Sequence, residues 1–157
     1  MVLLARTWPI QDGVDQWNQM YIEIRERLFE PMRPEAREAI QAHFEEYLDT
    51  PELQAYTACL RHGDFGSGNV LYDRDKGSIC GIIDFGSAGI GDPAVDLAAA
   101  STFGAEMFEE ICAAYPEAEK HLRRARFYRG TFALQEALYG LRVGDREAYE
   151  SGMEPYI

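Results

Sequence analysis

Apolar side chains recur at helical spacing toward both ends of the chain, with a short β-like stretch between. Trp17, Met20, Tyr21, Ile24 and Leu28 fall at i, i+3, i+4, i+7 and i+11, one stripe of an amphipathic helix beginning at Asp15. Asp15 is the expected N-cap, and Pro31 lies just beyond the end. Ile40, Phe44, Tyr47 and Leu48 form a second stripe. Its helix opens at Pro34, which lacks an N–H that the first turn would leave unbonded anyway. Thr50-Pro51-Glu52 reopens the chain, and residues 56–60 read as extended. Helical spacing returns after Asp92-Pro93, a cap followed by a first-turn proline, with Val95, Leu97 and alanines 98–100 behind it. Met107, Phe108, Ile111, Cys112 and Tyr115 mark a further helix. Residues 117–142, with Leu122, Ala125, Phe132, Leu138 and Leu141, predict one long helix that Gly130 could break. Asp145 caps a last short helix. Residues 1–14, punctuated by Pro9 and Gly13, read as irregular.

Residues 62–92 differ in kind. They hold eight of the 14 glycines and two β-like runs, Val70-Leu71-Tyr72 and Ser78 to Ile83. Asp73 to Gly77 joins them as a turn, with Gly77 free to take φ > 0. If Lys76-Gly77 are the central turn residues, Asp75 faces Ser78, Val70 faces Ile83 and Asn69 faces Asp84. Directly opposed antiparallel residues lie only about 4.5–5.5 Å apart. An amide oxygen and a carboxylate thus meet at the open end of a hairpin, and two hard oxygen ligands with room for water and phosphate suit Mg²⁺. Asp64 stands five residues before Asn69, in His62-Gly63-Asp64-Phe65-Gly66-Ser67-Gly68-Asn69. That loop can bring a second carboxylate beside the metal without making it a ligand, where it can orient a hydroxyl and accept its proton. Phosphoryl transfer needs little more than positioning, a metal on the phosphate oxygens and that proton acceptor.

Composition narrows the class. A length of 157 residues predicts one domain spanning 1–157. The formal charge of −12 argues against a partner that is nucleic acid, and it makes a neutralising cation a required part of any phosphate site. No run approaches the roughly 20 apolar residues of a membrane helix. The start of the chain carries too short an apolar run for a signal peptide, so a cytoplasmic protein is expected. Cys59, Cys80 and Cys112 are odd in number and widely spaced, which predicts buried free thiols rather than a zinc or disulfide framework.

His62-Gly63-Asp64, Asn69 five residues on, and Ile82-Ile83-Asp84-Phe85-Gly86 together resemble the catalytic and metal-binding loops of the aminoglycoside phosphotransferases. That family is grouped with choline kinase and the protein kinases. Gly91-Asp92-Pro93-Ala94-Val95-Asp96-Leu97-Ala98 is similar to the stretch that commonly follows in the small-molecule kinases, and His-Gly-Asp favours that branch. The resemblance implies a catalytic loop at 62–69 and a metal loop at 84–92. Asp64 matches the catalytic Asp. Asn69 and Asp84 match the ligands through which Mg²⁺ and the nucleotide are held. It implies a mainly α fold with a small β-hairpin (α+β), like the C-terminal helical lobe of the protein-kinase-like fold. The implied activity is transfer of the ATP γ-phosphate to a hydroxyl of a small molecule, and the acidic balance allows a cationic one.

The ATP-gripping half of such a kinase carries a glycine-rich loop and a strand lysine. Here the first 60 residues contain no lysine and one glycine, Gly13, and the only lysines are Lys76 and Lys120. The chain is therefore expected to be inactive without an N-terminal lobe. The alternative is a non-catalytic module that keeps the motif as scaffold and, with one face uncovered, binds an N-terminal lobe partner or forms a homo-oligomer. Around the motif, His62 is read as structural, its ring bonding nearby backbone, and Asp96 as a first-turn anion that braces the loop. Glycines 86, 89 and 91 read as turn glycines. His43, His121 and the cluster Arg123, Arg124 and Arg126 read as solvated.

Overall fold

In the computed structural model, residues 13–157 are described; the irregular segment expected at 1–14 lies almost wholly outside them. Eleven regular elements follow one another along the described residues. The helices are α1 (Val14–Arg27), α2 (Pro34–Leu48), α3 (Pro51–Gln54), α4 (Ala94–Ala100), α5 (Ala105–Ala114), α6 (Leu122–Val143) and α7 (Arg146–Met153). The strands are β1 (Cys59–Arg61), β2 (Val70–Asp73), β3 (Ser78–Ile82) and β4 (Gly89–Gly91). The expected mainly α architecture with a β-hairpin is present. Contacts divide the described residues into two compact units, one of residues 56–129 and one of residues 13–55 and 130–157.

The second unit is helical. Trp17, Met20, Tyr21 and Ile24 are buried along α1, and Ala36, Ile40, Phe44 and Tyr47 along α2. Tyr21 stacks on Phe44 with ring centroids 4.9 Å apart, and Trp17 meets Tyr47 edge-on at 6.3 Å. Glu23 of α1 accepts from both Arg27 and Arg142, the latter on α6. Arg33 Nη1 and Nη2 donate to the carbonyls of Ile157 and Pro155 and so tie down the end of the chain. Gly13, not Asp15, is the N-cap of α1. Asp15 lies in the first turn, where its charge still favours the helix N-terminus. The helix predicted over 117–142 begins at Leu122, after a 3₁₀ turn at Ala118–Lys120, and runs unbroken through Gly130. A Cβ at Gly130 would lie 2.5 Å from His43 Nε2, so this glycine makes room for a ring rather than ending a helix. His43 is accordingly half-buried, not solvated.

The first unit carries both β pairs. β1 and β4 pair antiparallel, with Leu60 opposite Ile90, while β2 and β3 form the predicted hairpin. Asp145 caps α7 as expected, accepting from Ala148 N at 3.1 Å. The cysteines are free, but Cys59 and Cys112 are only half-buried and Cys80 is exposed, so the expected burial is not found. Among the described residues no helix is long and apolar enough to cross a membrane.

Candidate active site

The hairpin register differs from the expected one, and the reason is local. Asp73 Oδ1 accepts from the amides of Asp75 and Lys76, and its Oδ2 pairs with Lys76 Nζ at 2.8 Å. This side chain organises a longer turn in which Asp73, not Asp75, faces Ser78. Gly77 takes its positive φ of 64° there. The pairing then shifts between Leu71 and Tyr72: Tyr72 faces Ile79, whereas Leu71 faces Gly81. Cys80 is the extra residue, a β-bulge, which recovers one of the two positions lost at the turn. Asn69 therefore stands opposite Ile83, whose amide donates to Asn69 O at 2.9 Å. Asp84 follows one residue beyond.

Asp84 adopts φ 61° and ψ 64°, the left-handed region. Asp enters it more readily than most residues, at a cost of about 1–2 kcal/mol. Its carboxylate is exposed and accepts a long bond from Gly86 N at 3.4 Å. Asp64 sits on the loop that leaves β1. Asn69 Nδ2 donates to Asp64 Oδ2 at 2.9 Å and to Asp64 O at 2.8 Å. The amide nitrogen is thereby committed to the loop, and Asn69 Oδ1 is the atom of that side chain suited to a cation. The structure brings Asp64 and Asn69 into direct contact and places Asp84 next to the residue bonded to Asn69.

Two groups hold this loop in place. Asp96, in the first turn of α4, accepts from His62 N at 2.7 Å and Gly63 N at 2.8 Å, one amide to each oxygen. Gly63 has φ 80°, a conformation open to glycine at little cost, and the chain turns there toward Asp64. The His62 ring is buried, with Nε2 2.9 Å from Ile83 O and Nδ1 accepting from Asp64 N at 3.3 Å. A carbonyl can only accept, so the proton belongs on Nε2, and this tautomer ties the loop before Asp64 to the residue before Asp84. Phe85 lies 4.7 Å and Phe65 6.0 Å from the His62 ring. His62 and Asp96 thus take the structural roles read from the sequence.

Arg124 and His121 do not. Arg124 is buried, with Nε 2.7 Å from Oδ2 of the fully buried Asp92. His121 is half-buried beside it, Nδ1 2.9 Å from Arg124 Nη2. Pro93, not Asp92, stands at the N-cap of α4, but Asp92 Oδ1 still accepts from Ala94 N, the first residue of the helix, at 2.9 Å. The signal that could have found this network is the i, i+4 spacing of Arg124 and Tyr128, which puts both on one helix face.

Among the described residues no group of three or more His, Cys, Asp or Glu side chains converges as a self-contained metal cage. One carboxylate and one amide oxygen form a hard donor set of the kind Mg²⁺ takes when water and phosphate complete its shell. The two residues present fit that ion.

The comparisons with known proteins bear on the same stretch. Residues 4–128 match the family model described as "phosphotransferase enzyme family". Viomycin phosphotransferase of Streptomyces vinaceus is 35% identical over 146 residues, which are 90% of this chain and 50% of that protein. The GDP complex of aminoglycoside 2'-phosphotransferase-IIIa superposes with a TM-score of 0.81 at 24% identity, covering 93% of this chain and 50% of the other. The gentamicin complex of APH(2")-IIa gives 0.66 at 27% identity, covering 90% and 50%. The chain spans about half the length of the relatives it matches. It belongs to the phosphotransferase enzyme family and has the fold of the C-terminal lobe of the kinase-like architecture.

Proposed function

We propose that this chain is the substrate-side half of an ATP- and Mg²⁺-dependent small-molecule O-phosphotransferase. The observation that carries the reading is the pair of hydrogen bonds from Asn69 Nδ2 to Asp64, with Asp84 one residue past the partner of Asn69. In this reading Asp64 orients the acceptor hydroxyl and takes its proton as the bond to phosphorus forms. Asn69 holds the Asp64 carboxylate in place through its amide nitrogen, while its amide oxygen and the Asp84 carboxylate hold Mg²⁺. When bound, the ion neutralises charge on the phosphate oxygens. Asp96 and His62 keep the loop in register. Solved relatives that match the chain include complexes with GDP and kanamycin and with streptomycin and ATP, which supports a nucleotide donor and an amino-sugar acceptor.

The phosphate grip is assigned to a separate N-terminal lobe, because neither lysine is placed for it: Lys76 pairs with Asp73 in the hairpin turn and Lys120 with Glu117. The chain alone then binds Mg²⁺ weakly and turns over nothing. Titration with Mg²⁺, followed by amide shifts of residues 69 and 84, tests the first part; the response is expected to vanish in Asp84→Ala. The second part is tested with the N-terminal half of viomycin phosphotransferase, ATP or GTP and a panel of amino-sugar acceptors. Transfer is expected only with both halves present, and Asp64→Asn should lower it about 10²–10⁴-fold. Transfer unchanged by Asp64→Asn would refute the assignment. The alternative, a non-catalytic module, is favoured by the exposed cross-strand pair Leu60 and Ile90. No transfer in any combination, with Mg²⁺ binding also absent, would decide for it.

A further inference from the structure

Asp92 is an acidic side chain with no exposed surface. Its Oδ1 accepts from Ala94 N at 2.9 Å and from Arg124 Nη2 at 3.1 Å. Its Oδ2 accepts from Arg124 Nε at 2.7 Å and from Tyr128 OH at 2.9 Å. Arg124 in turn lies over the Tyr56 ring, 5.7 Å from its centroid. Burying such a pair gives little net stability over an apolar pair of the same shape, because desolvation offsets the attraction. What a planar guanidinium fork on a carboxylate does provide is orientation.

The feature being oriented is the start of α4. Ala94, bonded to Asp92, and Asp96, bonded to the loop before Asp64, lie in the same first turn. Both oxygens of Asp96 are engaged, at 2.7 and 2.8 Å. A shift of that turn by about 1 Å carries such bonds beyond normal hydrogen-bond length. A continuous path of short polar contacts thus runs from α6 through Asp92, the first turn of α4 and Asp96 to His62 and Gly63. We propose that Arg124 and Tyr128 are positioning residues for the loop that carries Asp64, acting through Asp92 and Asp96. The inference rests on the catalytic reading of Asp64 for its functional meaning, but not for its test.

That test is amide hydrogen exchange, measured in the whole chain for Arg124→Met, Arg124→Lys and Tyr128→Phe. The amides of His62 and Gly63 report on the loop. The amide of Tyr115, bonded to Ile111 O in α5 of the same unit, reports on general stability. In Arg124→Met, His62 and Gly63 are expected to exchange at least about tenfold faster relative to Tyr115. Arg124→Lys keeps the charge but not the fork, so it should behave like the Met variant. Tyr128→Phe removes one hydroxyl and should act in the same direction, more weakly; it decides the matter if the Arg variants fail to fold. A common factor at all three amides, or no change at His62 and Gly63, would overturn the proposal. Full rescue by Arg124→Lys would overturn the orienting role of the fork. These rates can be read without turnover, so they succeed or fail independently of the Asp64→Asn result.

Discussion

His121 is a residue whose protonation the first unit resists. Burial lowers its pKa below the ordinary value, and the neighbouring Arg124 guanidinium and Lys120 lower it further. The carboxylates of Asp92 and Glu117 pull the other way and are outweighed. Geometry agrees, since Nδ1 lies 2.9 Å from Arg124 Nη2 and can accept from it only while unprotonated. The sign of the consequence follows from linkage. Above an ordinary His pKa of about 6.5, folded and unfolded chains are both neutral at this position, and pH has no effect through it. As pH falls below that value the unfolded chain takes up a proton that the folded ring refuses. Stability then declines until the folded pKa is passed. Thermal unfolding between about pH 7.5 and 5 should therefore show a steeper loss for the native chain than for His121→Gln, whose amide oxygen can still accept from Arg124. Parallel curves for the two proteins would show that His121 titrates freely.

Among the elements, α6 and α7 are held close by glycine. A Cβ at Gly152 on α7 would lie 2.5 Å from both Ala133 O and Ala137 N, which are backbone atoms of α6 and have nowhere to go. A Cβ at Gly130 would instead meet the His43 ring, the end of a side chain that can rotate. Gly152→Ala is therefore expected to cost about 1–3 kcal/mol, as overpacking does, and Gly130→Ala clearly less despite its central place in α6. Urea unfolding of the two variants checks the order, and a larger loss for Gly130→Ala would show that His43 is the more rigidly held. These glycines also mark what could be read from sequence. The stripes through Trp17 to Leu28 and through Ile40 to Tyr47 were legible because burial of one helix face follows from spacing alone. The candidate site was legible because Asp64, Asn69 and Asp84 are close along the chain and a hairpin joins two of them. The register was not, because it depends on which turn amides the Asp73 carboxylate captures and on a bulge at Cys80 that no periodicity announces. Arg124 escapes sequence reading for a related reason. An arginine among arginines looks solvated until a buried acid 32 residues earlier is placed beside it.

At the scale of the whole molecule, the two β pairs expose an unusual amount of apolar surface. Leu60 and Ile90 are register partners, 74% and 72% exposed, and Tyr72 and Ile79 on the other pair are 60% and 57% exposed. Scattered apolar residues on a surface mean little, but paired ones on short strands form a patch that water disfavours. Copies that met through this patch would do so against a charge of −12, so their association should strengthen as salt screens the repulsion. Sedimentation at low and high salt tests this against the double variant Leu60→Thr with Ile90→Thr, which keeps β-formers on both strands. The native chain is expected to gain mass with added salt and the variant to stay monomeric. Melting should change little, since exposed positions of this kind usually lie within about 0.5 kcal/mol. If the variant associates as readily as the native chain, the pair is not the adhesive surface. If it unfolds instead, Leu60 and Ile90 serve the β1–β4 pair itself rather than anything laid over it.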